Sequence, residues 1–144
     1  MTEFTILVSG SRTWDRVDVV EETLRILMES ALSSGFDRVV FRHGACTRGA
    51  DAIADYWVRR ESLQAGAPIR VDRWPADWIG LGKRAGYARN LAMVQTEPIA
   101  DVCVVFVRDH SAGASNCAEL AERAGIAVQI LDYDDIPAVE EVSP

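Results

Sequence analysis

Apolar and polar positions along the chain follow two alternating rhythms. Short runs rich in β-branched residues, dense enough to be buried on both faces, are separated by longer stretches in which apolar residues recur every three or four positions. Residues 4–9 (FTILVS) predict a first strand, and residues 17–33 a helix with Val17, Val20, Leu24, Leu27, Met28 and Ala31 on one stripe. Asp15 and Asp18 stand where they would cap that helix, and Gly35 where it would stop. Residues 38–42 (RVVFR) predict the second strand. The helix beginning near Arg48 carries Ala50, Ile53, Ala54, Trp57 and Val58 on one face. A short third strand at 69–73 follows the break at Ala67 and Pro68, and a third helix is expected over about 81–95. The most continuous apolar run, 101–107 (DVCVVFV), predicts a central strand. A fourth helix over about 115–124 turns Cys117, Leu120, Ala121 and Ala124 inward and ends at Gly125, with Ile126 set for the contact that accompanies a glycine stop; residues 127–131 (AVQIL) predict the last strand.

Strands and helices in strict alternation predict a single Rossmann-like three-layer α/β sandwich built on a mainly parallel five-stranded sheet. It spans residues 1–131, and the remainder, 132–144, with five acids and no base, is expected to be a frayed acidic tail. In such sheets ligands bind beyond the carboxyl ends of the strands, where the strand order reverses. Function is therefore sought in the loops that follow each strand.

Composition changes this picture in three respects. The net charge of -7 argues against a phosphate-backbone binder, although removing the tail leaves only -2 for residues 1–131. Of the 15 basic residues, all but Lys83 are Arg, the side chain whose planar fork grips oxyanions. The three cysteines, Cys46, Cys103 and Cys117, have no metal-ligand spacing, and the chain shows neither a membrane-length apolar run nor a basic leader. A reduced cytoplasmic protein with no membrane association and no bound metal is the expectation.

Four loops at the predicted strand ends carry the candidate chemistry. In the first, Gly10, Ser11 and Arg12 offer close backbone approach, a hydroxyl and a cation to an anion, or alternatively an ordinary turn in which Gly10 relieves strain. The second, His43 to Asp51, places Gly44, Arg48 and Gly49 around a helix start that favours negative charge; Asp51 there suits either a ligand or the helix dipole. In the third, Asp77 and Trp78 precede a helix on which Lys83, Gly86 and Asn90 share a stripe with Arg89 at its edge. Gly86 costs that helix about 1 kcal/mol relative to Ala, which suits close approach of a ligand or of another helix. The fourth, Arg108 to Asn116, supplies Gly113, Ser111 and Ser115. Small, anion-friendly loops on one sheet edge point to a phosphate-bearing nucleotide.

The segments GSRTWD (10–15), HGACTRGADAIADYW (43–57), PADW with GKRAGYARN (75–90) and GASNCAELAERAGI (113–126) resemble the YspA-type, cpYpsA-related branch of the SLOG superfamily, a group of bacterial, actinobacterial and phage proteins. The resemblance implies a Rossmann-like fold that binds nucleotides or derivatives such as ADP-ribose and other NAD-related molecules. Related branches are the LOG phosphoribohydrolases, which cleave the N-glycosidic bond of nucleoside monophosphates, and DprA, which binds single-stranded DNA. Position by position the resemblance implicates Gly10, Ser11, Arg12, Gly44, Arg48, Gly49, Ala50, Asp51, Asp77, Trp78, Lys83, Gly86, Arg89, Asn90, Gly113, Ala114 and Ser115. One departure matters: LOG enzymes carry PGGxGTxxE, and Cys117 stands where that glutamate would be. Glu119 lies about 200° of helix away from Cys117, placed to pair with Arg123 instead.

The expected function is thus a sensor or sequestering module for a nucleotide-derived ligand, with no further cofactor. A LOG-like hydrolase using Asp77, Asp109 or His110 as acid or base is the first alternative, and a DprA-like nucleic-acid binder the second. By analogy with Rossmann-like relatives, which often pair through helices, a homo-oligomer is expected.

Overall fold

A computed structural model describes residues 2–64 and 66–138. Five strands, β1 (Glu3–Gly10), β2 (Arg38–His43), β3 (Ile69–Arg73), β4 (Val102–Val107) and β5 (Ala127–Asp132), form one sheet in the order β3-β2-β1-β4-β5, every pair parallel. The helices α1 (Val17–Ser33), α2 (Ala50–Ser62), α4 (Ala85–Gln95) and α5 (Ala112–Arg123) cover its faces, and the short α3 (Trp78–Leu81) precedes α4. This is the α/β sandwich that the alternation of patterns predicts.

The two-residue period of the strands divides the core. Ile6, Val8, Val39, Phe41, Val104 and Phe106 face α1 and α2, where Leu24, Trp57 and Trp14 complete the packing. Leu7, Cys103 and Val105 face the other way, onto Met93 and Val94 of α4 and Cys117 and Ala121 of α5. Because β1 and β4 are buried on both faces, their sequences read as unbroken apolar runs.

Helix ends depart from expectation in instructive ways. Neither Asp15 nor Asp18 caps α1; Asp18 pairs with Arg16 at 2.8 Å, and Asp15 accepts the Tyr133 hydroxyl at 2.7 Å. The glycine stops do hold. Gly35 and Gly125 take φ of 100° and 81°, and the following N–H groups of Phe36 and Ile126 reach back to the carbonyls of Ala31 and Ala121. Ala124 is exposed rather than inward, its expected place in the core taken by Ala118.

The third helix is not continuous. Gly82 adopts φ 57°, and Gly82–Arg84 form a 3-10 turn between α3 and α4. Residues 132–138 are not frayed either. Tyr133 packs edge-on against Trp14 at 5.3 Å, Arg108 lies over its ring at 4.1 Å, and Arg16 donates to the Pro137 carbonyl. The rest of the acidic segment, 139–144, lies outside the described residues.

Candidate functional site

Strand order reverses between β1 and β4: the chain moves outward from β1 through β2 to β3, then crosses to β4 on the other side of β1. The loops leaving neighbouring strands at such a point turn to opposite faces and leave a crevice. Here the crevice is a cavity of about 420 Å³, within the range of small-molecule sites. Gly10, Ser11, Arg12, Gly44, Asp51, Trp78, Lys83, Gly86, Arg89, Asn90 and Gly113 all line it, so residues from all four loops converge.

Their roles differ. Gly10 and Gly49 hold the loops together. A Cβ on Gly10 would stand 2.5 Å from that of Ala50 and 2.7 Å from the Phe106 carbonyl oxygen, and one on Gly49 would strike the Ser11–Arg12 backbone. Gly49, at φ 78° and ψ -152°, precedes α2 in a conformation open almost only to glycine. The Ser11 hydroxyl is also committed, donating to the Arg108 carbonyl at 2.9 Å and accepting the Arg108 amide at 2.8 Å. That reciprocal pair clamps the loops after β1 and β4.

Arg89 and Asn90 form a second clamp. Arg89 donates to the carbonyl oxygens of Gly44 and Trp74 and, through Nε, to Asn90 Oδ1 at 2.9 Å. Asn90 Nδ2 in turn donates to Gly113 O and Asn116 Oδ1, both at 3.2 Å. Three loops are thereby tied to α4, with a guanidinium that no carboxylate neutralises among the described residues.

Arg12, Arg48 and Lys83 are exposed and form no salt bridge among the described residues. Arg12 lies 5.2 Å from the centre of the Trp78 ring, which roofs the cavity. Arg48 lines an adjoining hollow shared with Arg12, Gly44 and Trp78. Gly86 packs beneath Trp78, whose ring edge stands 3.4 Å from where a Cβ would be, an ordinary contact distance.

Two expectations, for Asp77 and Ser115, are met differently. Asp77 does not face the cavity; its Oδ1 accepts the Gly80 amide at 2.8 Å and caps α3. Ser115 sits on the outer side of α5, in a separate hollow with His110 and Glu119, so it is not part of the crevice. His43 points its Nε2 at Asp55, 2.7 Å away, while Nδ1 accepts the Ala45 amide at 2.9 Å; the ring proton therefore lies on Nε2.

Asp51 stands apart. It is only 4% exposed, its Oδ2 takes a long 3.4 Å hydrogen bond from the Cys46 amide, and its buried Oδ1 has no partner among the described residues. Burial pushes its carboxyl above the ordinary 3.8, only partly offset by the nearby His43, the Cys46 amide and Arg89.

The sequence did not single out Cys46, Tyr87, Met93 or Arg108 as site residues, yet all four line the cavity. Arg108 follows β4 at the switch point, a position from which strand order would have implicated it. Among the described residues no cluster of His, Cys, Asp and Glu is arranged to hold a metal, and no helix is long and apolar enough to cross a membrane.

Cys117, at the position of the LOG glutamate, is buried against Cys103 and Ser9 beneath the cavity. Glu119 pairs with Arg123 at 2.5 Å on the exposed side of α5, as its spacing predicts.

Comparison with known proteins places the sequence in a family. The model of the "YspA, cpYpsA-related SLOG family" matches residues 4–78, just over half the chain, and so includes the first two strand-end loops. Gene 61 protein of Mycobacterium phage D29 is 38% identical over 133 residues, covering 92% of this chain and 98% of that protein, and carries the similarity through the third and fourth loops. No solved structure matches the chain. With the family model and a full-length relative in agreement, the chain belongs to the YspA, cpYpsA-related SLOG family.

Proposed function

We propose that the protein binds a nucleotide or nucleotide-derived ligand, of the ADP-ribose or NAD-related kind, in the crevice between the loops after β1 and β4. The observation that carries this reading is the convergence of unneutralised cations, Arg12, Lys83 and Arg89, on one cavity at the switch point of a parallel sheet. Arg12 and Lys83 suit phosphate oxygens, and the exposed Trp78 offers an aromatic face for a base. Arg48, beside this cavity, extends the cationic rim.

Binding without turnover is the favoured mode. The LOG glutamate has no counterpart at Cys117, and Asp77 is spent as a cap. His110 does not line the cavity, and Asp109 lies at its exposed edge, 3.9 Å from the Arg108 guanidinium. A nucleic-acid role is disfavoured because the cations surround one compact cavity rather than forming a track.

The test is thermal unfolding with AMP, ADP, ADP-ribose, NAD and cyclic nucleotides, with product analysis of the same samples. A ligand present at 100 times its dissociation constant is expected to add about 2.7 kcal/mol of stability. Release of free base or ribose phosphate would replace binding by hydrolysis. Silence of every nucleotide, together with unchanged behaviour of Arg12→Ala and Arg89→Ala, would remove the site assignment altogether.

A further inference from the structure

The cavity is rich in donors and has one buried carboxyl, Asp109 standing at its exposed edge. Arginine and lysine side chains offer hydrogens there, as an anion requires. In its wall lies a carboxyl, Asp51, 4% exposed, with one buried oxygen that no group among the described residues satisfies. Buried polar atoms nearly always have partners, and an unsatisfied acceptor in a cavity wall is one that a ligand hydrogen can satisfy.

The chemistry of that ligand atom follows from the surroundings. A phosphate cannot sit directly on Asp51, because like charges would meet in a poorly hydrated place. An ammonium group would be repelled by Arg12, Lys83 and Arg89. What remains is a neutral donor attached to an anion that lies nearer the cations: the hydroxyl of a sugar phosphate. We propose that Asp51 Oδ1 accepts a ribose hydroxyl of the bound nucleotide, making Asp51 the residue that selects hydroxylated ligands over bare phosphates and deoxy analogues. This rests on the nucleotide reading given above and adds the sugar to it.

Burial gives the arrangement a second signature. An unsatisfied carboxyl is a liability in the empty protein, so its removal relieves the free state while harming recognition. A carboxyl whose role is to brace the second loop through the Cys46 amide would show the reverse, with loss of stability on removal.

The experiment uses isothermal titration of the full chain with AMP and ADP, their 2′,3′-dideoxy analogues, and inorganic pyrophosphate. The wild type is expected to lose about tenfold or more in affinity when the hydroxyls are absent, the scale of a hydrogen bond to a charged acceptor. Asp51→Ala is expected to bind the hydroxylated and dideoxy forms alike, and to unfold without ligand at a temperature equal to or above that of the wild type. Should Asp51→Ala fail to fold, Asp51→Asn, with the same volume and a neutral acceptor, must narrow the hydroxyl preference severalfold. Equal wild-type affinity for the ribose and dideoxy forms, or a preference kept intact in the variants, overturns the role of Asp51 and leaves nucleotide binding standing. Absence of any wild-type binding to AMP, ADP or pyrophosphate overturns the nucleotide reading itself, and this inference with it.

Discussion

At the scale of single residues, the glycines show how one symbol in a sequence carries different physics. Gly10, Gly44 and Gly49 mark strand ends and the loops that follow them, Gly86 lies in α4 and Gly113 in the first turn of α5, and all five were legible as positions near the strand ends. Their reasons were not, because each depends on what stands opposite in the fold. Gly10 faces Ala50, Gly44 faces the Arg89 guanidinium, Gly86 faces Trp78, and Gly113 faces nothing within 4 Å. A pair of substitutions separates conformation from collision. Gly35, at φ 100° with nothing within 4 Å of its missing Cβ, pays only backbone strain, so Gly35→Ala should cost about 1 kcal/mol. Gly49, at φ 78°, pays that strain and also drives a methyl into the Ser11–Arg12 backbone, so Gly49→Ala should cost about 3 kcal/mol or more. Urea unfolding of both variants decides the matter: equal losses would mean that the two loops are not in contact as described.

At the scale of elements, the sequence was most legible where a pattern repeats and least where a single side chain decides. Four-turn stripes such as Val20, Leu24 and Ala31 located α1 to the residue, and the glycine stops located its end. The start of α1 lies where its stripe puts it, but Asp15 does not cap it because it has two other partners, the Tyr133 hydroxyl and Arg108, both far along the chain. The same long-range contact explains why residues 132–138 read as a loose acidic end although Tyr133 completes an aromatic stack on Trp14. The expected single helix over 81–95 failed for a local reason, the left-handed Gly82. What results is a four-residue α3 that buries none of its side chains and depends on the Asp77 cap. Asp77→Ala is therefore expected to free α3 at a local cost of about 1 kcal/mol while leaving global unfolding almost unchanged. Hydrogen exchange should show the amides of Ile79 to Leu81 severalfold faster; an equally large drop in global stability would show that α3 is part of the core.

At the scale of the whole molecule, the parallel sandwich was legible because buried strands and amphipathic helices impose different periods, but the strand order was not, since any right-handed arrangement of βα units satisfies the same periods. The convergence of four loops on one cavity follows from that order alone. The response to acid is likewise a property of the entire chain, and here two kinds of carboxyl oppose each other. Asp55 is pushed up by burial, yet its hydrogen bonds to Arg73 and His43 prevail and hold it below the ordinary 3.8. Asp15 is held low by the Tyr133 hydroxyl and then Arg108, and Asp18 by Arg16. Each of these lowered groups contributes stability that is present above 3.8 and lost as pH falls through its folded value. Asp51, raised by burial, does the opposite: its folded state holds a proton that the unfolded chain has released, so stability grows as pH falls toward 3.8 and is lost as pH rises through its folded value. The free protein should consequently be most stable on the acidic side of neutrality, just above the region where Asp55 and its kin begin to protonate. Asp51→Asn should flatten the limb between that maximum and neutral pH, while Asp55→Asn should flatten the acid limb and lower stability at pH 7. Chemical denaturation at half-unit pH intervals measures both slopes. If Asp51→Asn leaves the neutral limb unchanged, the carboxyl in the wall of the cavity is not desolvated, and the orphan oxygen on which ligand selection depends is already met by water.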